Sequence, residues 1–208
     1  MENKKKPVFK ALFDTNALSI ILGEILATDR GRDPVYPNVL FAVNNGFLRI
    51  YVTPTVLSEL QGGTVEADRR IALLHELLKR NIIIVTKDTE CCYSKILREC
   101  IEDLENFLKP RDQSDYEIVK EYFAYIETST GQSHIEEIPL LFITENKRDF
   151  TANIASTITR CIMDYITLEL QRRGYATPAG VYNLRWLDYQ IGKILENIAK
   201  RLKCINKE

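Results

Sequence analysis

Lys10-Ala-Leu-Phe-Asp14-Thr-Asn16-Ala-Leu18 is the stretch on which the fold turns. The apolar run Val8 to Phe13 reads as a buried strand, and it stops on a carboxylate. Thr15 and Asn16 follow. Ala17, Leu18, Ile21, Leu22 and Ile25 then keep helical spacing. An acid at the tip of an inner strand costs free energy unless it is paired or used. In an open α/β sheet that edge is where ligands bind.

Working outward, the same grammar repeats. Val35 to Asn44 reads as a helix stopped by Asn44-Asn45-Gly46, and Phe47 to Val52 as a second strand. Thr53-Pro54 starts the next helix, because threonine caps well and proline suits the first helical position. Glu66 to Arg80 is amphipathic, and Ile82 to Val85 reads as a third buried strand. Helices are expected over Cys91 to Leu108 and Asp112 to Glu127, with a polar loop over Thr128 to His134. A fourth strand is expected at Ile138 to Ile143. A long helix to Arg173, a short edge strand at Tyr175 to Thr177 and a final helix opened by Pro178 complete the chain. Strands alternating with helices predict a three-layer α/β/α fold with a mostly parallel central sheet and a C-terminal helical extension. With no linker in sight, residues 1–208 read as a single domain with its core at about 8–150. Residues 151–208 read as a helical insertion and last helix.

Composition narrows the class. Lys plus Arg is 28 against Asp plus Glu 29, so any nucleic-acid surface must be a local patch. No apolar run approaches the roughly 20 residues of a membrane span, and the N-terminus does not read as a signal peptide. Five scattered cysteines argue against a disulfide framework, so they are expected to be reduced thiols in a cytoplasmic protein.

The acids are the chemistry. Asp14 ends strand one, and Glu59 lies on the helix leaving strand two. Asp112 and Asp115 open the helix before strand four, and Asp149 follows strand four after Thr144 and Asn146. Right-handed crossovers bring strand ends and following helix starts to one edge, so Asp14, Glu59 and Asp149 should meet there. Asp112 and Asp115 join them if their helix begins on that side. Crowded carboxylates repel, and without a cation some take up protons. Mg²⁺ or Mn²⁺ suits such an oxygen-rich site and could activate water against a phosphodiester.

Asp14-Thr15-Asn16-Ala17-Leu18, Ser58-Glu59-Leu60, Arg111-Asp112-Gln-Ser-Asp115 and Ile143-Thr144-Glu-Asn146-Lys-Arg-Asp149-Phe150 together resemble the four acidic motifs of PIN-domain nucleases. The resemblance covers roughly residues 8–150. Asn146 stands where many members carry aspartate, and the acid falls at Asp149. The resemblance implies a metal-dependent endoribonuclease whose acidic site is Asp14, Glu59, Asp115 and Asp149. It implies RNA as substrate, a 5′-phosphate on the product, and in toxin-type members an antitoxin partner. Homodimers are common among such proteins, and the apolar stripe of the last helix offers a surface for one.

Each residue also has a plainer role. Asp14 could cap the helix at Ala17, Asp112-Gln-Ser-Asp115 could be a capping pair, and Glu59 alone could be a solvated helix residue. Asn16, Thr144 and Asn146 are expected to support the carboxylates by hydrogen bonds. Lys147 and Arg148 are placed to meet substrate phosphates. Two rival classes stand beside the nuclease. One is a non-catalytic module on the same fold. The other is an Asp-based phosphatase, which would normally want a second acid where Asn16 stands.

Overall fold

The computed structural model describes residues 9–60, 65–86, 93–131, 138–170 and 179–205. Five strands form one all-parallel sheet: β1 (Phe9–Phe13), β2 (Leu48–Val52), β3 (Ile83–Val85), β4 (Leu141–Ile143) and β5 (Gly180–Tyr182), in the order β3-β2-β1-β4-β5. β1 is central, and its last three residues are fully buried, as expected for a strand covered on both faces. The helices are α1 (Thr15–Thr28), α2 (Pro37–Asn44), α3 (Pro54–Leu60), α4 (Val65–Lys79), α5 (Lys95–Phe107), α6 (Gln113–Gly131), α7 (Ala152–Leu170) and α8 (Leu184–Ile205). α1 packs on α4, α2 on α8, and α5 on both α6 and α7, giving the expected three layers. No helix among the described residues is long and apolar enough to cross a membrane.

Several local expectations need correcting. β3 lies at the sheet edge, not inside it, and Val85 is 36% exposed. A run of β-branched residues is compatible with either place. Thr128 to Gly131 continue α6 and do not form a loop. The strand expected at Tyr175 to Thr177 falls outside the described residues. The edge strand that is seen, β5, occupies a segment read as helix, and the last helix starts only at Leu184, where the side chain of Asn183 accepts from Trp186 N at 2.8 Å. Gly180 allows this strand. Its φ of 137° is open to glycine, and a Cβ there would sit 3.0 Å from the Thr159 side chain. α7 is thus the crossover that carries the chain from β4 to β5.

The cysteines also differ from expectation. Cys100 on α5 and Cys161 on α7 form a disulfide, with Cα atoms 6.1 Å apart. Spacing along the chain could not reveal it, because the pairing depends on two helices becoming neighbours across 61 residues. The expected free thiols at Cys91 and Cys92, and the side chain of Cys204, lie outside the described residues.

Candidate metal centre

Register brings the strand ends together. Phe13 pairs with Ile143, and Asp14 N donates to Ile143 O at 3.0 Å, so the next residues on each strand, Asp14 and Thr144, are neighbours. The Thr144 hydroxyl donates to Asp14 Oδ2 at 2.5 Å. Asp14 Oδ1 accepts from Ala17 N at 2.6 Å, capping α1. Of the two roles foreseen for Asp14, the helix cap is the one seen directly. Asp14 is only 1% exposed, and burial pushes its carboxyl up to about 6, against the two hydrogen bonds that pull it down.

α6 delivers the second set. Asp112 precedes its first turn, and Oδ1 accepts from Ser114 N at 2.8 Å and Asp115 N at 3.1 Å. This N-cap turns Asp115 inward, where it is 7% exposed. Asp149 arrives from the turn after β4, with its backbone N–H on Asn146 Oδ1 at 3.3 Å. Asp112, Asp115 and Asp149 each present an oxygen within 4.8 Å of the other two. Burial, then the negative charges of Asp112, Asp14, Asp149 and Glu59, raise the Asp115 carboxyl to about 7.

Glu59 forms the outer lip. It sits in the last turn of α3, exposed, and accepts hydrogen bonds from the hydroxyls of Thr15 and Ser114. α3 itself is tied to α6 by Glu121, which accepts from Thr55 N at 3.1 Å and Thr55 Oγ1 at 2.8 Å. Three separate segments are therefore pinned around one cleft.

The expected supporting residues divide. Thr144 and Asn146 make the anticipated bonds: Asn146 N donates to Thr144 Oγ1 at 3.0 Å and Asn146 Nδ2 to Asp115 Oδ2 at 2.7 Å. Asn16 is exposed on the first turn of α1. Lys147 and Arg148 are exposed in the turn between Asn146 and Asp149. Asp14 and Glu59 stand around the group of three instead of inside it. Asp112, which sequence reading also offered as half of a capping pair, belongs to it. Sequence reading missed Thr15 and Ser114 as partners of Glu59, because a lone hydroxyl residue at a helix start carries no signal beyond capping. It also missed Glu145, whose charge bears on Asp14 while its carboxylate accepts from Leu184 N at 2.7 Å.

Donor chemistry fits a hard cation. Asp112 spends Oδ1 on the helix cap and Asp115 spends Oδ2 on Asn146, so each keeps one oxygen. Mg²⁺ takes ligands at about 2.1 Å, so two of its donors stand up to about 4 Å apart, a small side-chain rotation from the spacing here. Burial first, and then the neighbouring carboxylates, hold the Asp115 carboxyl near 7, and a cation there would favour its ionised form. In comparisons with known proteins, no family model, no curated protein and no solved structure matches the chain.

Proposed function

We propose that this chain is a Mg²⁺- or Mn²⁺-dependent endoribonuclease. The observation that carries the reading is the convergence of Asp112, Asp115 and Asp149, from two segments, to within 4.8 Å of one another, with Asp14 buried nearby. The sequence resemblance to PIN-domain nucleases supports the same reading. Asp112, Asp115 and Asp149 hold the ion. When bound, it would offset the negative charge that a phosphodiester gathers in its transition state and make water a better nucleophile. Asp14 and Asn146 act behind the ligands. Asp14 fixes the Thr144 hydroxyl, and Asn146 orients Asp115 and the Asp149 backbone. Glu59, clamped by Thr15 and Ser114, faces solvent on the lip, where it orients the attacking water and accepts its proton.

The test is cleavage of end-labelled single-stranded RNA with Mn²⁺, with chelator, and by Asp115→Asn. The expected result is metal-dependent cutting that leaves a 5′-phosphate and falls at least about a hundredfold in the variant. Cleavage at an undiminished rate with chelator or by Asp115→Asn would overturn the reading.

A further inference from the structure

A second site lies further along α1. A cavity of about 350 Å³ opens between α1, the turn that ends it, and α4, lined by Ser19, Gly23, Glu24, Arg30, Arg32 and Arg70 among others. Three arginines line one concavity, and Glu24 is the only acid among its described lining residues. Glu24 Oε2 is already engaged by Val35 N at 2.6 Å.

Each arginine is placed by the backbone. Arg70 on α4 donates from Nη1 to Ser19 Oγ at 2.9 Å, and its guanidinium lies across Gly23, where a Cβ would stand 3.5 Å from Nη2. Its Nε is buried with no hydrogen-bond partner, and among the described residues it forms no ion pair. Arg30 and Arg32 flank Gly31 in the turn closing α1. There Gly31 N donates to Thr28 O at 2.9 Å and Arg32 N to Ala27 O at 3.1 Å, with Gly31 at φ 79°. A helix C-terminus draws cations, which accounts for Arg30 and Arg32 in that turn. It does not account for Arg70, which comes from another helix and is held by Ser19, with no carboxylate partner among the described residues.

The ligand class follows from the donors. Guanidinium forks match the bidentate geometry of phosphate oxygens, and a concavity with three of them concentrates that match. The position names the source of the phosphate. Thr15, Ser19 and Gly23 fall at i, i+4 and i+8 on one face of α1. Thr15 holds Glu59 at the acidic cleft, and Ser19 holds Arg70 in the cavity. The acidic centre and the arginine cavity thus lie along the same helical face, about 6 Å of rise apart from Thr15 to Ser19. We infer that the Arg30, Arg32 and Arg70 cavity binds backbone phosphates of the single-stranded RNA whose scissile bond lies in the acidic cleft. This rests on the nuclease reading for the identity of the strand. It also explains how a chain of net charge −1 could hold a polyanion beside a group of carboxylates.

The experiment is fluorescence anisotropy of a labelled single-stranded RNA with the full chain in chelator, where no cleavage occurs, across a salt series. The Arg30→Gln, Arg32→Gln, Arg70→Gln variant should bind about tenfold more weakly. Its log-affinity against log-salt slope should be shallower by about 2, since each lost contact is worth about 0.7. Glu24→Gln keeps the acceptor for Val35 N but removes the opposing charge, so it should tighten binding about twofold. Unchanged thermal melting and unchanged Mn²⁺ affinity in both variants establish that fold and acidic centre are intact. Affinity and salt slope unmoved by the triple substitution would overturn the inference. Loss of RNA binding in that variant, with no Mn²⁺-dependent cleavage by the natural chain, would uphold the phosphate site while removing the nuclease reading.

Discussion

Asn146 bridges two acids that come from different parts of the chain: its Nδ2 donates to Asp115 Oδ2 at 2.7 Å while its Oδ1 accepts from Asp149 N at 3.3 Å. An amide is the one side chain of this size that can do both, because aspartate lacks the donor and leucine lacks the acceptor. Asn146→Asp should therefore cost stability in the metal-free protein at pH 8, where a further negative charge meets Asp115. Mn²⁺ affinity, followed by calorimetry, should rise through the added carboxylate. Equal stability with no gain in affinity would show that position 146 faces neither acid in solution.

Burial and like charge raise Asp115 to about 7 and burial raises Asp14 to about 6, both from 3.8. The folded metal-free protein therefore binds protons more tightly than the unfolded chain. These two groups contribute their full stability below about pH 4 and lose it as pH rises through 6 to 7. Asp115→Asn removes that loss. Its melting temperature in chelator should exceed that of the natural protein by about 5 °C at pH 8 and match it at pH 4 to 5. Millimolar Mn²⁺ should reverse the order at pH 8, because only the intact triad gains from the ion. A melting difference that ignores pH would rule out charge repulsion as its cause.

Thr144→Val keeps shape and removes the hydroxyl that supports Asp14. A lost hydrogen bond to a buried carboxylate costs about 2 kcal/mol. That cost should be present at pH 8 and smaller at pH 5, where Asp14 already carries a proton. Urea unfolding at the two pH values measures it.

Glu59 is exposed and, among the described residues, held by Thr15 and Ser114, so Glu59→Ala should leave the melting temperature within about 1 °C. Under the proposed function it should lower RNA cleavage by about a hundredfold while leaving Mn²⁺ affinity intact. Parallel losses of cleavage and Mn²⁺ binding would make Glu59 a ligand instead.

Reduction of the Cys100–Cys161 disulfide, or Cys161→Ser, should lower unfolding free energy by up to about 4 kcal/mol, the chain-entropy value for a sequence separation of 61. Thiol titration before and after reduction counts the two sulfurs involved.

The order of elements and the parallel sheet were legible because strand, acid and capped helix leave local marks: Phe13-Asp14-Thr15 and Thr53-Pro54 each announce a strand ending in a helix. β5 was not legible. Three residues of an edge strand, Gly180 to Tyr182, carry too little pattern to separate them from the apolar-periodic helix behind them. At the site, the acids on the strand-tip and helix-start segments could be gathered by topology alone. Which three lie within reach of one ion could not, because that depends on the Asp112 cap turning Asp115 inward. The disulfide and the arginine cavity were equally silent, since both depend on helices that meet only in three dimensions.

The bond between Cys100 and Cys161 makes the intervening chain a closed ring, and on that ring lie Asp112, Asp115, Thr144, Asn146 and Asp149, but neither Asp14 nor Glu59. The three carboxylates that stand within 4.8 Å of one another are thus tethered together by covalent bonds. A backbone cut anywhere between residues 100 and 161 would leave two fragments still joined by the disulfide.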